Sequence, residues 1–396
     1  MNFETYLALK YIKSTKGKEK FISFSSFISM AGIAIGVAAL IIVMGVMNGF
    51  DNELEKKIVD VNPHIVIKNV RGVFDYNKAL INKISHTKGI KTATGVLITQ
   101  GMITGGGASM GVVINGIDVK QNPIKRYIIY GRLKNKGVVL GYELSKILGI
   151  GVGGSVRIIL PFGKITPFGF APLSFKETVT GLFKSGMYDY DSSFVYIPLE
   201  EIWSKTDLKN KINTIAVELK DPFKAKQIAE ELTARLPANF YASSWIELNS
   251  NFFTALKLEK AAMFIILMLI IIVASFNITS SLVMLVLQKT RDIAVLRSLG
   301  ATGRNIRNIF IKQSAIIGAI GIIAGDILGI TLSLLLKKYH FIKLPSSVYY
   351  ITTIPVDLNP IYIVLTTLLA FILVIVSSIY PATKASKLNI IEVLRQ

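Results

Sequence analysis

Ala261-Ala-Met-Phe-Ile-Ile-Leu-Met-Leu-Ile-Ile-Ile-Val-Ala-Ser-Phe-Asn-Ile-Thr-Ser-Ser-Leu-Val-Met-Leu-Val-Leu287 decides the fold. No charge interrupts it, and about 20 predominantly apolar residues suffice to cross a bilayer. Three further runs pass the same test: 21–48, Phe310–Leu336 and Ile361–Tyr380, the last set between Pro360 and Pro381. Any one of them could be a buried helix of a soluble core; four of this length argue against that. The first run lacks a small-residue cleavage site and continues as Met-Gly-Val-Met-Asn-Gly-Phe50, so it reads as a retained helix.

The composition agrees. Of 396 residues 51% are hydrophobic, and the mean hydropathy is +0.52. The net charge of +20 would suggest nucleic acid in a soluble protein; here its placement marks orientation. Residues 1–21 carry +3, residues 288–312 carry +5 and residues 381–396 carry +2, while the 212 residues of 49–260 carry only +9. Short loops rich in Lys and Arg stay cytoplasmic. The expected layout is therefore a cytoplasmic N-terminal segment (1–20), helix 21–48, an exported domain over 49–260 and helix 261–287. A cytoplasmic loop (288–309), helix 310–336, an external loop (337–360), helix 361–380 and a cytoplasmic C-terminus (381–396) follow. The fold class is an α-helical membrane protein with four transmembrane helices and a large α+β extracytoplasmic domain between the first and second.

Glycines recur at four-residue spacing in the first helix (Gly32, Gly36; Gly45, Gly49) and as Gly318, Gly321, Gly325 and Gly329 in the third. Small residues on one face let helices approach closely, so these mark packing seams. Asp326 is the one acid inside a span, too isolated for a proton relay, which needs a chain of titratable groups. Asn277 with Ser275, Thr279, Ser280 and Ser281 suits interhelical hydrogen bonding. Ion-driven transporters usually show repeated bundles and several intramembrane charges; this pattern reads as an anchor and lever.

The exported domain has similar ends. Strand His64–Lys68, helix Tyr76–Ser85 and strand Lys91–Val96 form one β-α-β unit; strand Thr214–Leu219, helix Pro222–Leu236 and strand Asn239–Ala242 form another. Asp75 and Asp221 mark the helix starts and Pro237 a stop. Two such units predict a ferredoxin-like module split by an insertion over 100–212. That insertion is mostly β, with strands around 110–117, 137–140, 155–160, 175–183 and 193–197 and a helix at Tyr142–Leu148. A helix over 244–260 is expected to run directly into the second membrane helix.

Two connecting segments carry the functional signal. Pro161-Phe-Gly-Lys-Ile-Thr-Pro-Phe-Gly-Phe-Ala-Pro-Leu173 is broken by three prolines, yet shows Phe162, Phe168 and Phe170. It reads as a loop presenting aromatics to a protein or lipid, with folding back over its own sheet as the alternative. Thr290-Arg-Asp-Ile-Ala-Val-Leu-Arg-Ser-Leu-Gly-Ala301 reads as a short amphipathic helix with Ile293, Leu296 and Leu299 on one face, stopped by Gly300. Those three residues bury too little for a membrane anchor, which favours docking into a partner's groove.

Enzyme signatures are missing from the chain. With no cysteine there is no disulfide or thiol chemistry, and His64, His86 and His340 are too scattered for a metal cluster. Gly149-Ile-Gly-Val-Gly-Gly154 follows a helix and opens a strand, the reverse of a dinucleotide fingerprint. Neither Gly17-Lys18 nor Gly163-Lys164 has the upstream glycine and downstream hydroxyl of a P-loop.

The chain resembles the LolC/LolE family, the permease subunits of lipoprotein-releasing ABC transporters, over essentially its whole length. The likeness rests on Val43-Met-Gly-Val-Met-Asn-Gly-Phe50, Phe276-Asn-Ile-Thr-Ser-Ser-Leu-Val-Met284 and the Arg291–Ala301 loop. It rests further on Leu344-Pro345 with Val348-Tyr-Tyr350, and on Tyr380-Pro-Ala-Thr-Lys-Ala-Ser386 through Glu392-Val-Leu-Arg395. The resemblance implies the MacB/LolC-type architecture and a non-catalytic subunit that lifts acylated lipoproteins from the inner membrane's outer leaflet. Its implied partners are a separate LolD-like ATPase, which binds ATP and Mg, a LolE-like permease or a second copy of itself, and a LolA-like periplasmic carrier, with no nucleic acid. The coupling helix would comprise Arg291, Asp292, Ile293, Leu296, Arg297, Leu299 and Gly300. The segment holding Pro161, Phe162, Pro167, Phe168, Phe170 and Pro172 resembles the LolC-type carrier-binding hook.

Exposing two or three acyl chains to water, at about 0.8 kcal/mol per CH₂, would cost tens of kcal/mol. A continuous apolar route is therefore required. Val43, Met44, Met47 and Phe50, with Met263, Phe264 and Leu267, are its candidate lining, helix packing being the alternative for each. Three other readings remain open on sequence: a MacB-like export permease for small molecules or peptides, an FtsX-like transmembrane signalling subunit, and a sensor domain on a membrane anchor.

Overall fold

The computed structural model describes residues 3–13, 20–120, 122–167, 169–339 and 353–387, and these divide into two compact units. The helical unit takes residues up to Asn52, from Ala255 through the third long helix, and from Thr353 onward; the β-rich unit takes Glu53–Thr254.

In the helical unit, α2 (Lys20–Val61), α9 (Ser250–Gln288), α11 (Gly303–Tyr339) and α12 (Pro360–Ser386) are each long and apolar enough to cross a membrane. The protein is a multi-pass membrane protein. A short α1 (Phe3–Lys13) packs on α11, where Glu4 accepts hydrogen bonds from Asn308 and Lys312. The glycines act as seams. A Cβ at Gly321 would lie 2.9 Å from the Met30 carbonyl oxygen of α2, and one at Gly325 would lie 2.7 Å from that of Ala34. Gly329 faces Ala38 and Ile41, while Gly318 faces Val374 of α12. Backbones can approach this closely only where side chains are missing. Pro381, expected to end the fourth helix, lies inside α12, which continues to Ser386. A missing N–H and a local kink are tolerated when a helix is held by its neighbours, and Pro381 is buried.

The β-rich unit begins with β1 (Ile65–Asn69), β2 (Phe74–Asp75), α3 (Lys78–Ser85) and β3 (Ile90–Gly105). It ends with β10 (Lys211–Ile212), β11 (Thr214–Leu219), α7 (Ala225–Arg235), β12 (Phe240–Ser244) and α8 (Trp245–Leu248). The spatial order β12–β1–β11–β3, with β1–β11, β1–β12 and β11–β3 all antiparallel, is the split β-α-β arrangement. Alternation along the strands sends Ile65, Ile67, Ile215 and Val217 into a core with Ile81, Ile84, Ile228 and Leu232 of α3 and α7. Asp75 does not cap α3: it pairs with Lys211 in β2–β10, and the Asn77 side chain accepts from the Leu80 N–H instead. At the other end Asp221 accepts from the Phe223 N–H. A Ser244–Glu247 capping box starts α8, so the helix expected over 244–260 is in fact two, α8 and then α9 from Ser250.

The insertion closes on itself. Its elements are β4 (Ala108–Ile117), β5 (Ile128–Gly131), β6 (Val138–Gly141), α4 (Tyr142–Leu148), β7 (Ser155–Thr166), β8 (Gly169–Phe183), α5 (Tyr188–Ser193), β9 (Phe194–Pro198) and α6 (Leu199–Lys205). Pairing runs β3–β4–β9–β6–β8–β7 and back to β3, a small barrel. Val112, Ile114, Leu140, Val156, Ile158 and Val195 are buried in its core, as expected for a barrel narrow enough for side chains to fill. The long β3 belongs to both halves: Ile90–Val96 pair with β11, and the residues from Leu97 on pair with β4. Closure needs a glycine. A Cβ at Gly101 would stand 2.6 Å from the Ile159 carbonyl oxygen of β7, the close backbone approach that strand glycines permit.

Candidate functional site

On the 288–303 elbow, α10 (Thr290–Ser298) buries Ile293 and Ala294 in the core of the helical unit. Leu296 packs partly against the same core, and Arg297 Nη1 donates to the Ser386 carbonyl at the end of α12 over 3.4 Å. The helix closes with a Schellman turn: the Ala301 N–H bonds to Leu296 O (3.0 Å) and the Gly300 N–H to Arg297 O (3.1 Å), with Gly300 at φ +100°. Lys289 pairs with Asp292 at 3.3 Å. The outward surface includes Arg291, Asp292, Val295, Ser298, Leu299 and Gly300. This differs from the face read on sequence, since Ile293 and Leu296 turn inward while Leu299 points away from them. Val295 was missed because apolar residues occupy both sides of α10, so periodicity alone could not select the free one.

The segment 161–173 is also not a loop. It is the outer part of a β7–β8 hairpin whose register runs Leu160↔Leu173, Gly163↔Pro172, Lys164↔Ala171, Ile165↔Phe170 and Thr166↔Gly169. A shift between Leu160 and Gly163 leaves Pro161 and Phe162 as a bulge, which bends and twists the strand. Prolines are tolerated because this stretch is two-stranded: Pro161 sits in the bulge, Pro167 in the turn, and among the described residues each strand has one free edge. β7 pairs with β3 only as far as Ile159. Among the described residues, the arm from Leu160 to Thr166 is therefore two strands alone, about 20 Å long at 3.3 Å per residue. Pro161, Pro167 and Pro172 are exposed. Phe162, expected to be exposed, packs partly on the β-rich core, because the bulge turns it back toward the barrel. Phe170 is placed by its backbone pairing, and Phe168 lies outside the described residues.

The arm is rooted in a polar cluster. Glu177 of β8 lies 3.4 Å from Lys205 Nζ, and Glu201 Oε2 accepts from the Gly137 N–H at 2.7 Å. Burial holds the Glu201 carboxyl above the usual carboxylate range, and the neighbouring Glu177 charge adds to it. Beyond β8, Asp191 accepts from the Ser185 N–H and hydroxyl, both at 2.7 Å, and from the Gly186 N–H at 3.2 Å. Burial raises its pKa and these hydrogen bonds oppose the rise.

In the helical unit the candidate lining residues separate. Met44 and Leu267 are buried in the helix core. Val43 and Phe264 pack partly against that core, Met47 and Phe50 are half-buried, and Met263 is exposed. Beside them stands a polar cluster that hydropathy did not signal. Lys260 Nζ lies 3.3 Å from Asp51 Oδ2 and 5.2 Å from the Tyr362 ring centre. Asn52 Nδ2 donates to Asp357 Oδ2 at 2.7 Å, and the Asp357 N–H to Gly45 O at 2.9 Å. These bonds hold residues 355–358 against α2, where a Cβ at Gly49 would come within 2.6 Å of the Pro355 carbonyl. Asp326, isolated in sequence, has a partner on α12: Thr367 Oγ1 is 3.1 and 3.2 Å from its carboxylate oxygens. Among the described residues, no group of three or more His, Cys, Asp or Glu is placed to hold a metal ion.

Two family profiles match the chain: a MacB-like periplasmic core domain over residues 26–235 and the FtsX-like permease C-terminal region over residues 264–390. The lipoprotein-releasing system transmembrane protein LolC of Neisseria meningitidis serogroup B is 32% identical over 100% of this chain and 99% of its own length. In Haemophilus influenzae the LolC protein is 28% identical, over 100% of both chains. The LolE protein of the same organism is also 28% identical, over 100% of this chain and 99% of its own.

Proposed function

Since the chain belongs to the LolC/LolE family of lipoprotein-releasing system transmembrane proteins, we propose that it is the permease subunit of a transporter that extracts acylated lipoproteins from the outer leaflet of the inner membrane. The observation that carries this reading is full-length similarity: 32% identity over 100% of the chain to a protein of that system. Both termini are cytoplasmic in this proposal, and the β-rich unit lies in the periplasm. ATP and Mg are held by a separate ATPase, and this chain is its non-catalytic membrane partner. The outward Arg291, Asp292, Val295 and Leu299 of α10 offer that ATPase a surface on a rigid elbow, which supports transmission of its stroke into α9, α11 and α12. The two-stranded arm supports capture of a periplasmic carrier, because an exposed hairpin edge can add to another sheet. Equal identity to the LolC and LolE proteins of one organism supports pairing with a second copy of this chain as well as with a LolE-like permease.

Acyl chains would leave the membrane along Met47, Phe50, Met263 and Phe264, where methionine adapts to varied chains. The test is reconstitution in proteoliposomes with the ATPase that co-purifies from the native membrane. An acylated lipoprotein should move to a soluble carrier when ATP is added, and only then. If no lipoprotein is transferred while ATP is hydrolysed and the carrier is bound, the reading is wrong.

A further inference from the structure

α2 and α9 pack along one antiparallel seam whose two halves differ. In the Ser29 half the contacts are small and close. Ser29 Oγ lies 3.0 Å from Ser281 Oγ, and Cβ atoms at Gly32 and Gly36 would stand 3.8 Å from Ala274 and 3.5 Å from Ile271. In the Asp51 half the seam is filled by large side chains. Met44 and Leu267 are buried there, Phe264 packs partly on the core, Met47 and Phe50 are half-buried and Met263 is exposed. Small residues let helices lock closely together, whereas methionine repacks readily.

One charge pair closes the pliable half. Lys260 Nζ lies 3.3 Å from Asp51 Oδ2, with the two side chains 23% and 25% exposed. Asp51 stands one turn beyond Met47 on α2 and Lys260 one turn before Phe264 on α9, so the pair caps the methionine-rich stretch. Among the described residues it is the ion pair that joins these two helices. The neighbouring polar contacts belong to α2: Asn52 holds Asp357, whose N–H bonds to Gly45 O. The Tyr362 ring, 5.2 Å from Lys260 Nζ, gives the ammonium a second resting place when Asp51 moves away. A partly exposed pair is weak, and apolar packing of similar volume would hold two helices at least as firmly. A directional, breakable tie at the end of a pliable seam suits a closure that has to be undone.

We propose that the Asp51–Lys260 pair is a latch: it keeps the Asp51 half of the α2–α9 seam shut, and its release lets that half part about the small-residue half. What the opening admits rests on the transport reading, since Met47, Phe50, Met263 and Phe264 are the proposed acyl route. That the seam loosens when the pair is broken is a property of the chain alone.

The chain has no cysteine of its own, so introduced thiols report cleanly. The full chain carrying Met47→Cys, in phosphatidylethanolamine–phosphatidylglycerol nanodiscs, is labelled with a membrane-impermeant maleimide. Adding Lys260→Met should speed labelling about fivefold, the factor matching loss of an ion pair at the strong end of the surface range. The exchanged pair Asp51→Lys/Lys260→Asp should restore the slow rate, and Ser29→Cys should label equally slowly in every background. Should Lys260→Met fail to fold, Asp51→Asn makes the same comparison. An unchanged rate at position 47, fast labelling in the exchanged pair, or an equal rise at position 29 overturns the latch. In the complex with its ATPase, bridging Asp51→Cys/Lys260→Cys with a reducible bis-methanethiosulfonate should stop lipoprotein transfer, and dithiothreitol should restore it. Bridging Ser29→Cys/Ser281→Cys should leave transfer running. Transfer that continues with the outer bridge in place overturns the latch as a gate. A wild-type complex that transfers no lipoprotein overturns the transport reading instead, and the labelling result then decides the latch by itself.

Discussion

Ile293 and Leu299 lie on opposite sides of the 288–303 elbow: the first is 2% exposed in the helix core, the second 79% exposed at the C-cap of α10. Substitutions at the two should therefore fail differently. Leu299→Asp should abolish co-purification of the ATPase without shifting thermal unfolding of the chain. Ile293→Asp places a charge in an apolar core and should unfold or degrade the protein before any partner is tested. If the two variants lose the ATPase to the same extent at the same stability, the outward surface has been misassigned.

The arm yields a similar contrast. Charge at Phe170, or at Phe168, should remove carrier capture in a pull-down and spare ATPase assembly. Phe162→Ala should instead cost about 1–2 kcal/mol of stability, less than the ~3–5 kcal/mol of a fully buried Phe, since Phe162 only partly packs on the β-rich core. Urea unfolding followed by tryptophan fluorescence reads this directly, because both tryptophans, Trp203 and Trp245, lie in that unit.

Helix seams can be graded by distance. A Cβ at Gly32 would meet Ala274 at 3.8 Å, whereas one at Gly325 would stand 2.7 Å from the Ala34 carbonyl oxygen. Alanine is the better helix former by about 1 kcal/mol, so Gly32→Ala should be neutral or stabilising. At Gly325 the backbone of α2 must move, and overpacking of about 1–3 kcal/mol outweighs that gain. Thermal unfolding in detergent should rank the variants Gly32→Ala, wild type, Gly325→Ala, and the reverse ranking would falsify the seam.

Glu201 makes the β-rich unit sensitive to pH. Its folded-state pKa is raised, chiefly by burial, so its contribution to stability is fully present below the ordinary glutamate value of about 4.3. It is lost as pH rises through the raised folded value. Against Glu201→Gln, the unfolding temperature of the wild type should fall progressively behind as pH increases across that window. A difference that stays constant with pH would remove Glu201 as the cause.

The spans were legible because lipid makes a one-dimensional demand. A helix must satisfy its backbone internally and present about 20 apolar residues, and the run Ala261–Leu287 states this without reference to anything else in the chain. The β-α-β ends were legible for a related reason, since Asp221, Pro222 and the alternation of Thr214–Leu219 are local signals. The 161–173 segment was not, because its prolines meant breakage by propensity alone. Only the two-stranded arm, with a free edge on each side, made room for them.

The face of α10 and the closure of the barrel lay further from sequence. Ile293, Val295, Leu296 and Leu299 are all apolar, and hydrophobicity cannot say which of them a neighbouring helix will cover; the packing of α10 into the helical unit chose Ile293. Likewise Gly101 is one glycine among 31 until β7 crosses β3 at Ile159. What depends on a residue and its near neighbours can be read along the chain, whereas what depends on contacts between distant segments exists only once they meet.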